Sequence, residues 1–241
     1  GAGHTISGLT EATGSYRALF GNIGSGAVVK NLTVEGSLDV GANNGGGLVS
    51  YVRLDQTDGT VVLQNCTNRV TLTSTSKAIG GVIGTVSGTR AGTLRVENCK
   101  NEAPVTSTGN RAGGIAGDLG TLVSGSKVVF TGCENTAVIK GGTDAGGIFA
   151  YLDAQKNGAA LTLEECTNTA AVTNAKNAGG IAGNLLLGNG EIKNCRNGGR
   201  VSATTAAGGL AALVDVGGGT LTVSDCQNSG SISGSTTVAG L

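Results

Sequence analysis

The side chains that could do chemistry are few, and the most numerous of them recur at a regular spacing. Six cysteines, Cys66, Cys99, Cys133, Cys166, Cys195 and Cys226, stand 33, 34, 33, 29 and 31 residues apart. Thiols can pair as disulfides, hold a soft metal or attack an electrophile. A structural zinc site usually draws two ligands from a C-x-x-C step, and no two cysteines lie so close, so no metal is expected. The single histidine, His4, is followed by Thr5, which excludes an H-E-x-x-H zinc motif. Asp55 with Asp58, and Glu164 with Glu165, are the closest acidic pairs. Carboxylates that act on sugars need a converging cleft and aromatic platforms, and the outward positions hold no such cluster. Glycines give many chance G-x-G spacings, but none runs into the Gly-Lys-Ser/Thr of a P-loop or opens a helix. Neither a catalytic residue nor a cofactor is expected.

The elements that carry these residues are set by an internal repeat. Two positions after each cysteine comes an asparagine: Asn68, Asn101, Asn135, Asn168, Asn197 and Asn228. About fourteen residues after most cysteines comes a Gly-Gly pair followed by Val, Ile or Leu, from Gly46-Gly47 through Gly208-Gly209. Apolar residues stand three before the cysteine (Leu63, Val96, Phe130, Leu163, Ile192, Val223) and mostly five before it, with polar residues between. That alternation is the period of a strand with one buried face. Leu72, Val105, Ile139, Val172, Val201 and Ile232, six after the cysteine, mark a second strand. The Gly-Gly segment gives a third, with Leu48, Ser50 and Val52 inward and Val49 and Tyr51 outward. Helical repeats of similar period fail, because each interior glycine costs a helix about 1 kcal/mol relative to alanine.

Three strands per repeat, each stacked on its counterpart, predict an all-β fold. It is a right-handed parallel β-helix, a β-solenoid of about seven rungs of 29–34 residues, some 34 Å long at about 4.8 Å per rung. Residues 1–241 form one domain, with a partial opening rung over 3–16, full rungs over 17–238 and an open edge at 239–241. An earlier rung keeps the register with Leu32 in the cysteine column. Because all six cysteines fall in one column, at a spacing slightly long for disulfides, buried free thiols are expected. The asparagines are expected to pass hydrogen bonds from rung to rung.

Composition narrows the partners. With 16 basic and 16 acidic residues the formal charge is zero, which argues against nucleic acid, and no run of 18 apolar residues exists to span a membrane. Glycine supplies 45 of 241 residues without the every-third-position rule of collagen. The chain opens on Gly1 without a signal-peptide pattern, so it reads as a piece of a longer protein.

The Gly-Leu-(Val/Ile)-Gly elements, such as Gly81-Val82-Ile83-Gly84 and Gly114-Ile115-Ala116-Gly117, alternate with Asn65-Cys66-Thr67-Asn68 and Asn98-Cys99-Lys100-Asn101. In these the chain resembles the GLUG-motif family of bacterial surface proteins. The resemblance implies a secreted or cell-surface, adhesin-like protein, or a non-catalytic region of an IgA-specific metallopeptidase. Phe149 and Tyr151 are expected to face outward on one rung, forming with Tyr51 a patch for a host glycan, a matrix protein or other domains of the same chain. A polysaccharide lyase or glycosidase is the rival reading. Ice binding is disfavoured, because the column of Thr71 and Thr73 is broken by Pro104, Val138 and Lys140.

Overall fold

The computed structural model describes residues 1–10, 16–42, 44–75, 77–120, 122–154 and 158–240. Residues 11–15 of the expected opening rung, and Leu241 of the expected edge, lie outside them. Among the described residues every regular element is a strand. The strands run parallel to their counterparts one repeat away. Thr93–Glu97, for example, lies between Thr60–Gln64 and Lys127–Thr131 without a slip in register. The result is a parallel β-solenoid.

Among the described residues the strands form two sheets. The smaller stacks seven strands, one per rung: Phe20–Ile23, Val49–Leu54, Ile83–Gly88, Ala116–Leu119, Phe149–Asp153, Ala182–Leu186 and Ala211–Asp215. The larger holds the remaining 24 and wraps around the cysteine corner. His4–Leu9 pairs with Val28–Gly41, which puts His4 beside Leu32 and Leu32 beside Cys66.

The cysteine corner has a local cause. The residue before each cysteine column position is left-handed, with φ between 51° and 61° at Asn31, Asn65, Asn98, Gly132, Glu165, Asn194 and Asp225. Asparagine, aspartate and glycine tolerate that conformation, which accounts for the Asn-Cys pairs; Glu165 is the exception. The turn aims the thiols inward. Cys66, Cys99, Cys133, Cys166 and Cys195 are buried, Cys226 is half-buried and all six are free.

The asparagine column is a continuous ladder. Each side-chain amide donates to the next carbonyl oxygen, from Asn68 to Asn101 at 2.8 Å through Asn197 to Asn228 at 2.8 Å. The same amides donate to backbone carbonyls two residues on, as from Asn135 to Ala137 at 2.9 Å. Against this ladder sits the second glycine of each Gly-Gly pair. A Cβ at Gly147 would lie 2.1 Å from the Gly180 oxygen and 2.5 Å from Asn168 Cγ, so nothing larger than glycine fits.

The Gly-Gly segment corrects the sequence reading. It is two elements rather than one strand: its first half belongs to the larger sheet and its second to the smaller. Between them the amides of Ile148 and Phe149 both donate to the Ile181 oxygen, at 2.8 and 3.2 Å, and the same doubling recurs in other rungs. The chain turns here from one sheet to the other without adding a residue, each rung keeping the same count across it, and the residues on both sides of the turn are enclosed. Both positions are consequently buried, and Val49, Ile83, Ala116, Phe149 and Ala182 join the core instead of facing solvent.

Elsewhere the core follows the expected columns, from Leu63 through Ile192 and from Leu72 through Val201. Gly190 interrupts one of them, and Leu187 fills the gap; a Cβ at Gly190 would lie 2.6 Å from its Cδ1. The last cysteine strand is more open, with Val223 47% exposed. On the outside, Arg69 bridges Glu35 and Glu102 on adjacent rungs at 3.1 and 2.7 Å, and Lys100 meets Glu134 at 2.8 Å. These pairs are solvent-exposed and screened, so they favour correct rung register more than overall stability.

Candidate functional site

The Gly-Gly corner brings two columns of side chains together on its outer side. One stands two residues before each pair: Asn44, Ala78, Arg111, Asp144, Asn177 and Ala206, with Tyr16 stacked below Asn44. The other stands four residues after it: Tyr51, Thr85, Asp118, Tyr151, Asn184 and Leu213. The ladders hold each column at one rung per step, so the two run side by side along the rod.

Their contacts cross the corner. Tyr16 and Tyr51 meet edge to face with ring centroids 5.4 Å apart, and the Tyr51 hydroxyl lies 2.6 Å from Ser87 Oγ. Arg111 pairs with Asp118 on its own rung, lies with its Nε 3.6 Å from Asp144 Oδ2, and covers the Tyr151 ring at 3.5 Å from the centroid. Asn177 donates to Asp144 at 2.9 Å, and the Gly120 amide donates to Asp118 at 2.8 Å. All three tyrosines of the protein therefore lie in this one corner.

Electrostatically, the cluster is closed on itself. Burial pushes the Asp118 carboxyl above its ordinary value, against the pull of Arg111, and burial followed by the charge of Asp153 pushes the Tyr151 hydroxyl up. Arg111 Nε and Asn184 Oδ1 are buried with no hydrogen-bond partner, two of three such side-chain atoms among the described residues. Each costs about 1–3 kcal/mol, an expense concentrated at this corner rather than spread over the rod.

The expected patch is thus split. Phe149 is fully buried and stacks on Phe130 with centroids 5.9 Å apart, because the turn after Gly147 carries it into the core; it cannot serve as a surface contact. Tyr51 and Tyr151 are half-buried on one column, three rungs apart, with Thr85 and Asp118 between them. Sequence reasoning missed Tyr16, Arg111, Asp144 and Asn177. The available signal was the run of polar residues two positions ahead of three successive Gly-Gly pairs, Arg111, Asp144 and Asn177.

The remaining candidates hold no site geometry. The thiol of the preceding rung, together with burial, pushes Cys99, Cys166 and Cys195 well up, away from the reactive thiolate. Among the described residues no group of three His, Cys, Asp or Glu side chains could hold a metal ion, and no helix is long and apolar enough to cross a membrane.

No protein-family model matches the chain, and no curated protein does. Among solved structures it is similar to a chain described as a "putative immunoglobulin A1 protease from Bacteroides ovatus". The TM-score is 0.54 and the identity 17%, over 100% of this chain and 68% of that one. At this identity the likeness speaks for the fold alone.

Proposed function

We propose that the chain is a non-catalytic, rod-like module of a bacterial secreted or cell-surface protein of the GLUG-motif kind. It serves adhesion, by presenting ligand along its long face, or spacing. The observation that carries this reading is the corner itself: aromatic and polar side chains converge along the rod, while the charges among them are spent on one another. Arg111 is engaged by Asp118, Asp144 and the Tyr151 ring. Burial raises the Tyr151 hydroxyl's pKa, so it stays protonated near neutral pH, which leaves it a poor general base.

A β-helix lyase or glycosidase is the second reading, favoured by two aspartates and a tyrosine around one arginine. Incubation with a panel of neutral and acidic polysaccharides decides between them. The module reading expects binding without new reducing ends or unsaturated products. Cleavage that is lost in Asp118→Asn or Tyr151→Phe would replace it with the enzyme reading.

A further inference from the structure

We infer that the tyrosine-lined corner binds a linear, uncharged polysaccharide laid along the solenoid axis; this rests on the module reading and names its ligand class.

The first argument is aromatic. Tyr16 is 48% exposed and Tyr51, packed against it, is half-buried, so part of this ring pair lies open in the corner, while Tyr151, one face under Arg111, adds a half-buried ring three rungs away. Such amphipathic faces suit the apolar C–H face and hydroxyl rim of a pyranose.

The second is electrostatic. Asp118 is taken up by Arg111 and the Gly120 amide, and Asp144 by Arg111 and Asn177. No cation in this cluster is left over for an acidic sugar, and carboxylates outnumber the one guanidinium. At the Tyr151 end an anionic polymer would meet two carboxylates against one guanidinium, whereas a neutral polyol needs only hydrogen bonds and ring contact; the cation nearest the Tyr51 end on the same face, Arg53, is exposed and stands apart from that cluster.

The third is spacing. Successive positions along each column are separated by about 4.8 Å, close to the length one pyranose adds to an extended chain. Tyr51 and Tyr151, three rungs apart, are then spanned by a run of about three sugars, at roughly 14 Å. A disaccharide reaches one of them, and a hexasaccharide reaches both.

The protein supplies its own probe. It has no tryptophan and three tyrosines, all in this corner, so its intrinsic emission reports occupancy there without any substitution. The experiment titrates the intact chain with cello-, manno-, xylo- and laminarihexaose, their disaccharides, oligogalacturonate and oligolysine, following tyrosine emission and heat together. At least one neutral hexasaccharide should give a saturable emission change and bind about tenfold tighter than its disaccharide. Tyr51→Ala and Tyr16→Ala, with melting temperatures checked, should each weaken it. The inference is overturned if no neutral hexasaccharide binds, if oligogalacturonate or oligolysine binds in preference, or if heat is released while tyrosine emission stays constant. Cleavage of a bound sugar would sink the module reading and leave the corner's ligand assignment standing; absence of binding by every neutral hexasaccharide, without cleavage, would sink the assignment and leave the module reading standing.

Discussion

At the residue scale, position relative to the sheet-to-sheet turn decides whether a side chain is core or surface. Phe149 is buried against Phe130, so Phe149→Ala should cost about 3–5 kcal/mol, because a rigid repetitive core collapses poorly around a large cavity. Chemical denaturation measures it, and a loss under about 0.5 kcal/mol would return Phe149 to the surface. The thiols should differ in the same way. Cys226 alone is not buried, so iodoacetamide followed by mass spectrometry should label it first, and slowly near neutrality, because burial raises its pKa. Early labelling of Cys133 instead would mean that the column opens in the middle. Asp118 ties the corner to pH. Its folded pKa lies above 3.8, so the folded state holds that proton more tightly; its contribution is full below the unfolded pKa and lost as pH rises through the folded one. Relative to Asp118→Asn, the wild type should therefore gain stability as pH is lowered from about 7 to 4, read as a converging or reversing gap between urea midpoints. A pH-independent gap would remove Asp118 from the linkage.

At the element scale, the Gly-Gly corner is where sequence and structure part. The two strands flanking the cysteines were legible because alternation survives intact across them: Leu63 and Leu72 sit where period two places them. The corner was not, because the chain passes there from one sheet to the other, and a turn that encloses both Ile148 and Phe149 leaves no mark in composition or periodicity. Hence Phe149, at the turn itself, was assigned to the wrong side while Tyr151, beyond it, was placed correctly. Arg111 was missed for a different reason: it precedes the glycines, in what read as connection, and its partners lie across the corner. The glycines themselves make the sharpest test. Gly147→Ala should destabilise by more than the usual alanine-for-glycine change could compensate, since its Cβ would strike both the Gly180 carbonyl and the Asn168 side chain. Gly240, whose Cβ meets nothing within 4 Å, provides the control, and Gly240→Ala should be near neutral. Equal melting temperatures for the two variants would show that the ladder does not pack on the corner.

At the scale of the whole molecule, each rung touches only its neighbours, so cohesion is local along the axis and absent beyond it. The asparagine ladder and the parallel pairings join one rung to the next, and the ion pairs of Arg69 and Lys100 do the same outside. A load applied to the two ends therefore acts on this rod as on a zipper, opening one seam at a time rather than shearing many bonds at once. Each rung that detaches releases 29–34 residues of slack, about 100 Å when drawn out. Pulled in a force spectrometer, the chain should lengthen in a sawtooth of steps of about that size, starting from a terminal rung, and a single drop to full extension would contradict the picture. A surface module built in this manner would act as a shock absorber, yielding its length in instalments while the rungs that remain stacked keep their grip.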